Sequence, residues 1–522
     1  MIEQAMAGFD VTSLTRLRRV SGVAASPCGR WIAVAVARLD PDEASYVSDL
    51  WRVPLDGGAP TQLTTGPWND TSPRFRRDGA LGVLRNRPNG LDKEAAPRFQ
   101  VWLMPADIGE PRAITDEPLG ALDLRFATGS DRLVVLAPVV PGVPHDQQRT
   151  RAADRARHGP TALRYRALPV RHWDQWLGEA GVHVIIYDPD GARRDLTPDA
   201  TIEYREPFGG WPLAISPDGA RVATVATHVG DAFIDDSVIK VFDAASGDHL
   251  DCGAVAGANW GDLAFSPDGR WLASCRDLRR PDKADARSLW CFAADGDPVG
   301  KPVAADWDAY ASLAGWTPDG ALLVTVDLDG RVPVFRVDLD GVRTRLTAAA
   351  AGGCHQSLEI ATGAGAEPIL VGVRHTLLHP PEPFAAPLEG DATPRLLAAF
   401  SGFSAEDGAA IARWESFTVP GDGGTPVQSF LVTPRTAGAH PLLVWPHGGP
   451  QAQHVDGWQW RWNAMVAASA GYAVLLPNPR GSTGAGQEFI DGIMNNTWGA
   501  ACYRDIMAAV DAAAQRPDID GA

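Results

Sequence analysis

The chain has 522 residues, and its 47 Lys and Arg against 64 Asp and Glu give a formal net charge of −17. This length predicts two or more globular domains, and the negative charge argues against a general nucleic-acid or anionic-membrane binder. The six cysteines are scattered without a CxxC pair or metal-like spacing, which predicts reduced thiols and no metal or cofactor site. Residues 1–20 contain no apolar segment of signal-peptide length and no run approaches a membrane span, so we expect a cytoplasmic protein.

Residues 1–20 are predicted to form a short helix, with Thr12 or Ser13 as its N-cap before Leu14, Leu17 and Val20. We expect this segment to pack on the C-terminal domain. After residue 20 the helical spacing gives way to short β-strands.

Residues 21–410 are predicted to form a β-propeller. A Ser/Thr-Pro-Asp-Gly turn recurs before apolar strands, with clear copies at Ser216, Ser266 and Thr317. A second half recurs too, as an apolar strand, a turn and a strand ending in Leu-Thr, for example in VFRVDLDGVRTRLT. Repeats of roughly 40–50 residues with several short strands indicate propeller blades, and the strong and weak copies together predict seven of them. We interpret the motif as a structural turn rather than a calcium site, because Pro fixes φ, Asp bonds the backbone and Gly takes positive φ.

Residues 141–180 interrupt this period with the charged stretch DQQRTRAADRARHG, followed by LRYRALPVRHWDQW. The first part is predicted to be a solvated loop or short helix. His172 and Asp174 resemble part of a catalytic pair, but the sequence offers no nucleophile with them, so we assign them no catalytic role.

Residues 411–522 show a different pattern, predicted to be an antiparallel hairpin followed by a βαβ unit. LLVWPHGGP is predicted to be a strand followed by a loop, the apolar segment 458–470 a helix, and AVLLPNPRG a second strand with its loop. Further helices are predicted at 487–496 and 503–514. Both strands should be parallel and buried. HGGP and NPRGSTG follow their carboxyl ends, where ligand-binding and catalytic residues lie in such sheets. Gly448 and Gly449 can direct an amide N–H into open space, as an oxyanion hole requires, although a plain strand-to-helix turn is the alternative.

HGGP, then GYAVLLPNPRGSTGAGQEFIDGI, then WGAACYRDIMAAVDAA follow the order found at the start of the catalytic domain of the prolyl oligopeptidase family, which residues 411–522 resemble. The acylaminoacyl peptidase and dipeptidyl peptidase V-like branch is the most similar, and the segments RHWDQW (171–176) and PFGG (207–210) support it. The resemblance implies a serine peptidase with a seven-bladed propeller at 21–410 and an incomplete α/β-hydrolase domain at 411–522.

The resemblance also implies roles for single residues. Gly449, with Gly448 as its flexible neighbour, would belong to the oxyanion hole, whereas His447 and Arg480 would order the loops. Glu203 and Glu206 would anchor a substrate's free α-amino group, with solvated surface carboxylates as the alternative.

A serine hydrolase of this type needs a Gly-x-Ser-x-Gly elbow followed by an acid and a histidine, and the sequence contains no such motif. Ser469 lacks the first glycine and is predicted to lie in a helix that ends at Gly471. By resemblance, the catalytic triad belongs to sequence beyond Ala522. We therefore expect this chain to be inert alone, and its last domain to fold poorly because a sheet edge lacks its neighbour.

Two main hypotheses follow. The first is a serine exopeptidase or oligopeptidase that removes acyl-amino acids or dipeptides from short peptides, with the propeller gating access. The second is a non-catalytic propeller scaffold with a vestigial hydrolase remnant, and an esterase on the same fold is a third. The expected partner is a peptide substrate, without nucleic acid or membrane, and a homo-oligomer is left open.

Overall fold

The structure is a computed structural model that describes residues 9–87, 98–106, 109–159, 162, 165, 170–172, 175–198, 200, 212–229, 235–494 and 497–521. It contains seven four-stranded antiparallel sheets, which are the seven predicted propeller blades, and one five-stranded sheet. Within the described part of the chain, no helix is long and apolar enough to cross a membrane.

The first four blades follow one another along the chain, with an insertion in the third. Their strands are β1 (Arg19–Ala25), β2 (Trp31–Leu39), β3 (Tyr46–Pro54) and β4 (Thr61–Gln62); β5 (Asp70–Phe75), β6 (Leu81–Arg85), β7 (Gln100–Met104) and β8 (Arg112–Ala113); β9 (Asp123–Phe126), β10 (Leu133–Val139), β13 (Gly181–Tyr187) and β14 (Arg193–Asp195); and β15 (Leu213–Ile215), β16 (Arg221–Val229), β17 (Asp235–Asp243) and β18 (His249–Cys252). The insertion carries a 3₁₀ turn at His145–Gln147, helix α2 (Gln148–His158) and the small hairpin β11 (Arg171–His172) and β12 (Gln175–Trp176).

The last three blades have the same regular order. Their strands are β19 (Ala258–Phe265), β20 (Trp271–Arg280), β21 (Lys283–Ala293) and β22 (Lys301–Val303); β23 (Tyr310–Trp316), β24 (Leu322–Asp327), β25 (Val334–Val337) and β26 (Arg343–Arg345); and β27 (Cys354–Ala361), β28 (Ile369–Thr376), β29 (His379–Pro387) and β30 (Arg395–Leu396). A 3₁₀ turn at Ala349–Ala351 precedes the seventh blade. No strand is shared between blades, and the first and seventh blades meet through side chains such as Val34 and Val373, which lie in one buried cluster.

The recurring Pro-Asp-Gly motif forms turns between the first and second strands of the blades, as predicted. In the fourth blade, Ser216 Oγ lies 2.5 Å from the Asp218 carboxylate and accepts a hydrogen bond from the Arg221 amide at 2.9 Å. Gly219 completes the turn with φ of +76°. The hydrogen bonds of the motif are therefore made within the turn itself.

The last sheet has the order β31–β32–β34–β33–β35, from β31 (Ala412–Pro420), β32 (Pro426–Pro434), β33 (His440–Val444), β34 (Ala473–Asn478) and β35 (Ile519–Asp520). The β31–β32 hairpin turns through the 3₁₀ segment Asp422–Gly424. β33 and β34 are parallel, as predicted, and β35 is parallel to β33 on its other side. The edge of β33 that was expected to lack a neighbour is thus partly covered at its start.

The helices of this domain differ from the predicted bounds. They are α3 (Ala405–Ile411), α4 (Ala464–Ser469), α5 (Gln487–Asp491) and α6 (Trp498–Ala514). The prediction of a helix from residue 458 was wrong, because the Asn463 side chain accepts from the Met465 and Val466 amides and so starts α4 there. Ser469 is the last residue of α4, and Gly471 follows with φ of +92°, so the helix interpretation of Ser469 is confirmed.

The N-terminal helix α1 spans Val11–Arg16. The prediction of Thr12 or Ser13 as N-cap was wrong, because the Asp10 carboxylate caps the helix by accepting from the Ser13 amide at 2.7 Å. Leu14 is buried in a cluster that also contains Phe430 of β32 and Trp458, so α1 packs against the C-terminal sheet.

Candidate active site

The loop after β33 contains His447, Gly448, Gly449 and Pro450 and lies at the carboxyl end of that strand. The loop after β34 contains Arg480 and Ser482 and emerges at the same edge, because the two strands are parallel. Gly449 has φ of +144°, and a Cβ atom there would lie 2.9 Å from the Gln451 amide nitrogen. Only glycine fits this conformation and spacing without strain.

His447 links these two loops. Its Nε2 lies 2.8 Å from Ser482 Oγ, and Ser482 in turn donates to the Pro479 carbonyl at 2.6 Å. Its Nδ1 lies 3.1 Å from the Gly448 carbonyl oxygen. Burial lowers the pKa of His447, so its ring is neutral near pH 7 and has one N–H to donate. The ring therefore holds the Gly448–Gly449 loop against the second loop.

Arg480 is held beneath the loops by an ion pair. Its Nε and Nη2 donate to the two carboxylate oxygens of Asp505, each at 2.8 Å, and Nη2 also donates to the Asp422 carbonyl at 2.6 Å. Asp505 is fully buried on α6, and its bonded carboxylate raises the pKa of Arg480. The guanidinium is thus committed to structural contacts.

A cavity of about 670 Å³ separates this loop from the fifth blade. Gly449, Pro450 and Gln451 form one wall, with Ile493 and Met494 nearby, and the β19–β21 region of the fifth blade forms the other. Gln451 Nε2 donates to the Asp285 carbonyl at 3.1 Å and so joins the two walls directly. The cavity is therefore an interdomain space with the glycine loop on its surface.

The propeller wall of the cavity is densely charged. Its charged residues are Asp277, Arg279, Arg280, Lys283, Asp285 and Arg287. Arg287 forms a bidentate pair with Asp277 at 2.8 and 2.7 Å, and Arg280 bonds Asp491 of α5 at 2.6 Å. Burial raises the pKa of Asp285, and the charge of Arg279 opposes that rise.

A second contact joins the two domains. The buried carboxylate of Asp456 accepts from the Gly353 amide at 2.8 Å and the Leu377 amide at 2.9 Å, both in the seventh-blade region. The Asp456 amide donates to the Gly330 carbonyl at 2.7 Å. Asp456 therefore ties the loop after the glycines to two blades.

The sequence-predicted site residues are only partly brought together. Gly449 lines the large cavity, whereas His447 and Gly448 line an adjacent space of about 420 Å³ with Trp445 and His454. Arg480 lines neither of these two cavities. Glu203 and Glu206 lie outside the described residues. In the described part of the chain, no group of three or more His, Cys, Asp or Glu residues could hold a metal ion.

Sequence reasoning missed the charged propeller wall and Asp456. The only signal for the wall is the dense run of charges between residues 276 and 287, which resembles any solvated hairpin. No sequence motif marks Asp456, and its hydrogen-bond partners lie on blades that are distant in the sequence.

Residues 458–522 match the prolyl oligopeptidase family, and residues 258–278 match the WD domain, G-beta repeat. A probable dipeptidyl-peptidase 5 from Aspergillus terreus is 28% identical over 400 residues, covering 68% of this chain and 52% of that protein. Dipeptidyl-peptidase 5 from Aspergillus fumigatus is 28% identical over 377 residues, covering 66% of this chain and 51% of that protein. The chain thus spans about half the length of the curated relatives it matches.

Solved structures of the same architecture cover almost the whole chain. Pyrococcus horikoshii acylaminoacyl peptidase superposes with a TM-score of 0.73 at 14% identity, covering 98% of this chain and 73% of that one. A Mycobacterium tuberculosis puromycin-hydrolyzing peptidase superposes with a TM-score of 0.64 at 15% identity, covering 98% and 73%. The structures share the fold, and the matches of sequence and structure together support a prolyl oligopeptidase family peptidase.

Proposed function

We propose that this chain serves the serine-type hydrolysis of short peptides, releasing acyl-amino acids or dipeptides, with the propeller limiting access. The observation that carries the proposal is the position of Gly449, whose loop lines a cavity closed on its other side by the fifth blade. A volume of about 670 Å³ lies in the range of small-ligand sites, which suits a short peptide better than a folded chain. The dipeptidyl-peptidase names of the curated relatives support the substrate class.

The glycine loop would contribute electrostatic stabilisation. Hydrolysis of a peptide bond places negative charge on the carbonyl oxygen, and a backbone N–H fixed at that position stabilises it without reorganisation. Gly449 has the conformation for such a donor, with Gly448 as its neighbour, and His447 and Ser482 hold the loop in place. His447 would act as a positioning residue, because its ring is used in loop contacts.

We infer that the nucleophilic serine, its acid and its histidine come from sequence outside these 522 residues, because no Gly-x-Ser-x-Gly occurs in them. The direction of β35 supports this. It runs parallel to β33, so a chain continuing from it would emerge at the edge where the glycine loop lies.

A fluorophosphonate probe, which labels only activated serines, tests the proposal. The 522-residue chain should stay unlabelled, and the product of the gene with any coding sequence downstream of Ala522 should be labelled. Blocked aminoacyl and dipeptidyl anilides should then be hydrolysed faster than long peptides. If the longer product is not labelled, or no coding sequence follows, the propeller-scaffold hypothesis replaces this one. Cleavage of esters but not anilides would favour the esterase.

A further inference from the structure

We propose that Arg279 and Asn259 form a subsite of the cavity that binds a peptide through a carboxylate group, so that the protein prefers peptides that present a carboxylate there. The inference rests on the proposed function only in taking a peptide as the occupant of the cavity. Both residues line the same cavity as Gly449, on the propeller wall.

The two side chains have unmet hydrogen-bonding capacity. Nη1 of Arg279 and Oδ1 of Asn259 are buried polar atoms without a hydrogen-bond partner among the described residues. A buried polar atom left unpaired costs free energy, so such atoms in a cavity wall mark a place where a ligand can supply the partner. The missing partners are an acceptor for the guanidinium and a donor for the amide oxygen.

The register of the β19–β20 pair places the two side chains on the same face of the blade. Asn259 lies opposite Asp277 in the antiparallel β19–β20 pair, and Arg279 follows Asp277 by two residues and therefore shares its face of the strand. The Arg279 amide is fixed by a bond of 2.8 Å to the Gly257 carbonyl. A rigid blade thus supports the subsite.

The charge balance favours an anion. The cavity wall carries four cations, Arg279, Arg280, Lys283 and Arg287, and the acids beside them are Asp277, Asp285 and Asp491. Asp277 is paired with Arg287, and Asp491 is paired with Arg280 and lies 3.8 Å from Lys283. Asp285 is then the remaining acid beside Arg279, and the two form no ion pair among the described residues. One positive charge is left over, on a chain whose net charge is −17.

The two unmet groups together specify a peptide rather than a simple anion. A carboxylate accepts from the planar guanidinium with good geometry, whereas a peptide N–H donates to the Asn259 amide oxygen. The carboxylate can come from an acidic side chain or from a free C-terminus, and both present the same group to Arg279. The test must therefore separate these two sources.

Calorimetric titration of the 522-residue chain with three blocked peptides makes this separation. The probes are acetyl-Ala-Glu-Ala-amide, acetyl-Ala-Gln-Ala-amide and acetyl-Ala-Gln-Ala with a free C-terminal carboxylate. At least one carboxylate peptide should bind about tenfold more tightly than the neutral one, a difference typical of a charge-assisted hydrogen bond, and added salt should reduce the difference. The tighter of the two identifies the source of the carboxylate.

Two variants test whether the preference for a carboxylate peptide depends on Arg279 and Asp285. Arg279→Gln should abolish the preference while the neutral peptide still binds, and Asp285→Asn should strengthen carboxylate binding several-fold, because it removes the competing negative charge. Arg270→Gln, at an exposed arginine of the same blade, is the matched control and should change neither. Circular dichroism melting should show all three variants folded.

Equal affinities for the neutral peptide and both carboxylate peptides, a preference that persists in Arg279→Gln, or no binding of any peptide would each overturn this inference. None of these results bears on whether the longer gene product carries an activated serine. Failure of the proposed function would instead appear as absence of fluorophosphonate labelling, so the two failures are distinguishable.

Discussion

The carboxylate of Asp505 on α6 is fully buried and receives the guanidinium of Arg480 through two bonds of 2.8 Å. It also accepts from the backbone amides of Arg480 at 3.1 Å and Asp422 at 2.9 Å. The Asp505 carboxylate therefore joins three elements near the candidate site: the loop after β34, the turn of the β31–β32 hairpin, and α6.

Arg480→Ala should destabilise the C-terminal domain by about 3–5 kcal/mol, because it leaves the Asp505 charge buried with only backbone partners. Urea unfolding followed by tryptophan fluorescence measures the loss. Arg504→Ala is the matched control. Arg504 lies next to Asp505 on α6, in an exposed ion pair with Asp422, so its removal should destabilise the domain far less. Equal losses for the two variants would contradict a special role for the buried pair.

Asp456→Ala should loosen the contact between the two domains. It removes the acceptor for the buried Gly353 and Leu377 amides, and each unpaired amide costs about 1–3 kcal/mol. We expect a lower melting temperature and faster proteolysis between residues 397 and 411, which connect the domains. Asp282→Ala, at an exposed site, is the control. Unchanged melting and proteolysis would show that other contacts hold the domains.

The sequence predicted those parts of the fold that depend on local patterns. The Ser-Pro-Asp-Gly turns identify blades because their geometry is satisfied within a few residues, as at Ser216 and Asp218. The parallel β33–β34 pair was predictable because buried strands, glycine loops and an intervening helix occur in sequence order. Helix bounds were less predictable, since the cap at Asn463 competes with an apolar segment that otherwise suits a helix.

The candidate site was predictable only on its glycine-loop side. Gly449 lies in a recognisable motif, whereas Arg279 and Asp285 become part of a cavity only when the propeller places the fifth blade opposite that loop. The Asp505 partner of Arg480 had no sequence signal either, because a single acid on a helix is usually solvated. Contacts between distant elements thus account for what the sequence did not predict.

Acid should destabilise the protein between pH 6.5 and about 4. Burial lowers the pKa of His355, His375 and His454 from 6.5 to about 4, so in this window the unfolded chain binds more protons than the folded one. Their stabilisation is complete above pH 6.5 and falls as pH decreases, by about 1.4 kcal/mol per pH unit for each histidine.

His375→Asn isolates one of these contributions. The Trp458 amide donates to His375 Nδ1 at 2.9 Å, and an asparagine oxygen can accept in its place without titrating. The slope of unfolding free energy against pH should therefore decrease by roughly 1.4 kcal/mol per unit, whatever the absolute stability. An unaltered slope in His375→Asn would show that its ring does not titrate with folding.

Gly449→Ala should impair the reaction more than it impairs folding. The added Cβ would meet the Gln451 amide at 2.9 Å, and φ of +144° disfavours alanine, so the loop must move and its N–H would leave the position that we propose for the oxyanion. In a longer gene product that a fluorophosphonate probe labels, we expect peptide hydrolysis to slow by roughly 10²–10³-fold, the usual loss for one oxyanion donor.

Gly448→Ala should slow the reaction less, because no atom lies within 4 Å of its Cβ position and its φ is not positive. Gly499→Ala, on α6 with equally open space, is the control and should leave the rate unchanged. Thermal melting of each variant separates loop effects from unfolding. If Gly449→Ala retains the parent rate while folded, this loop does not supply the oxyanion donor, and the cavity would need another source for it.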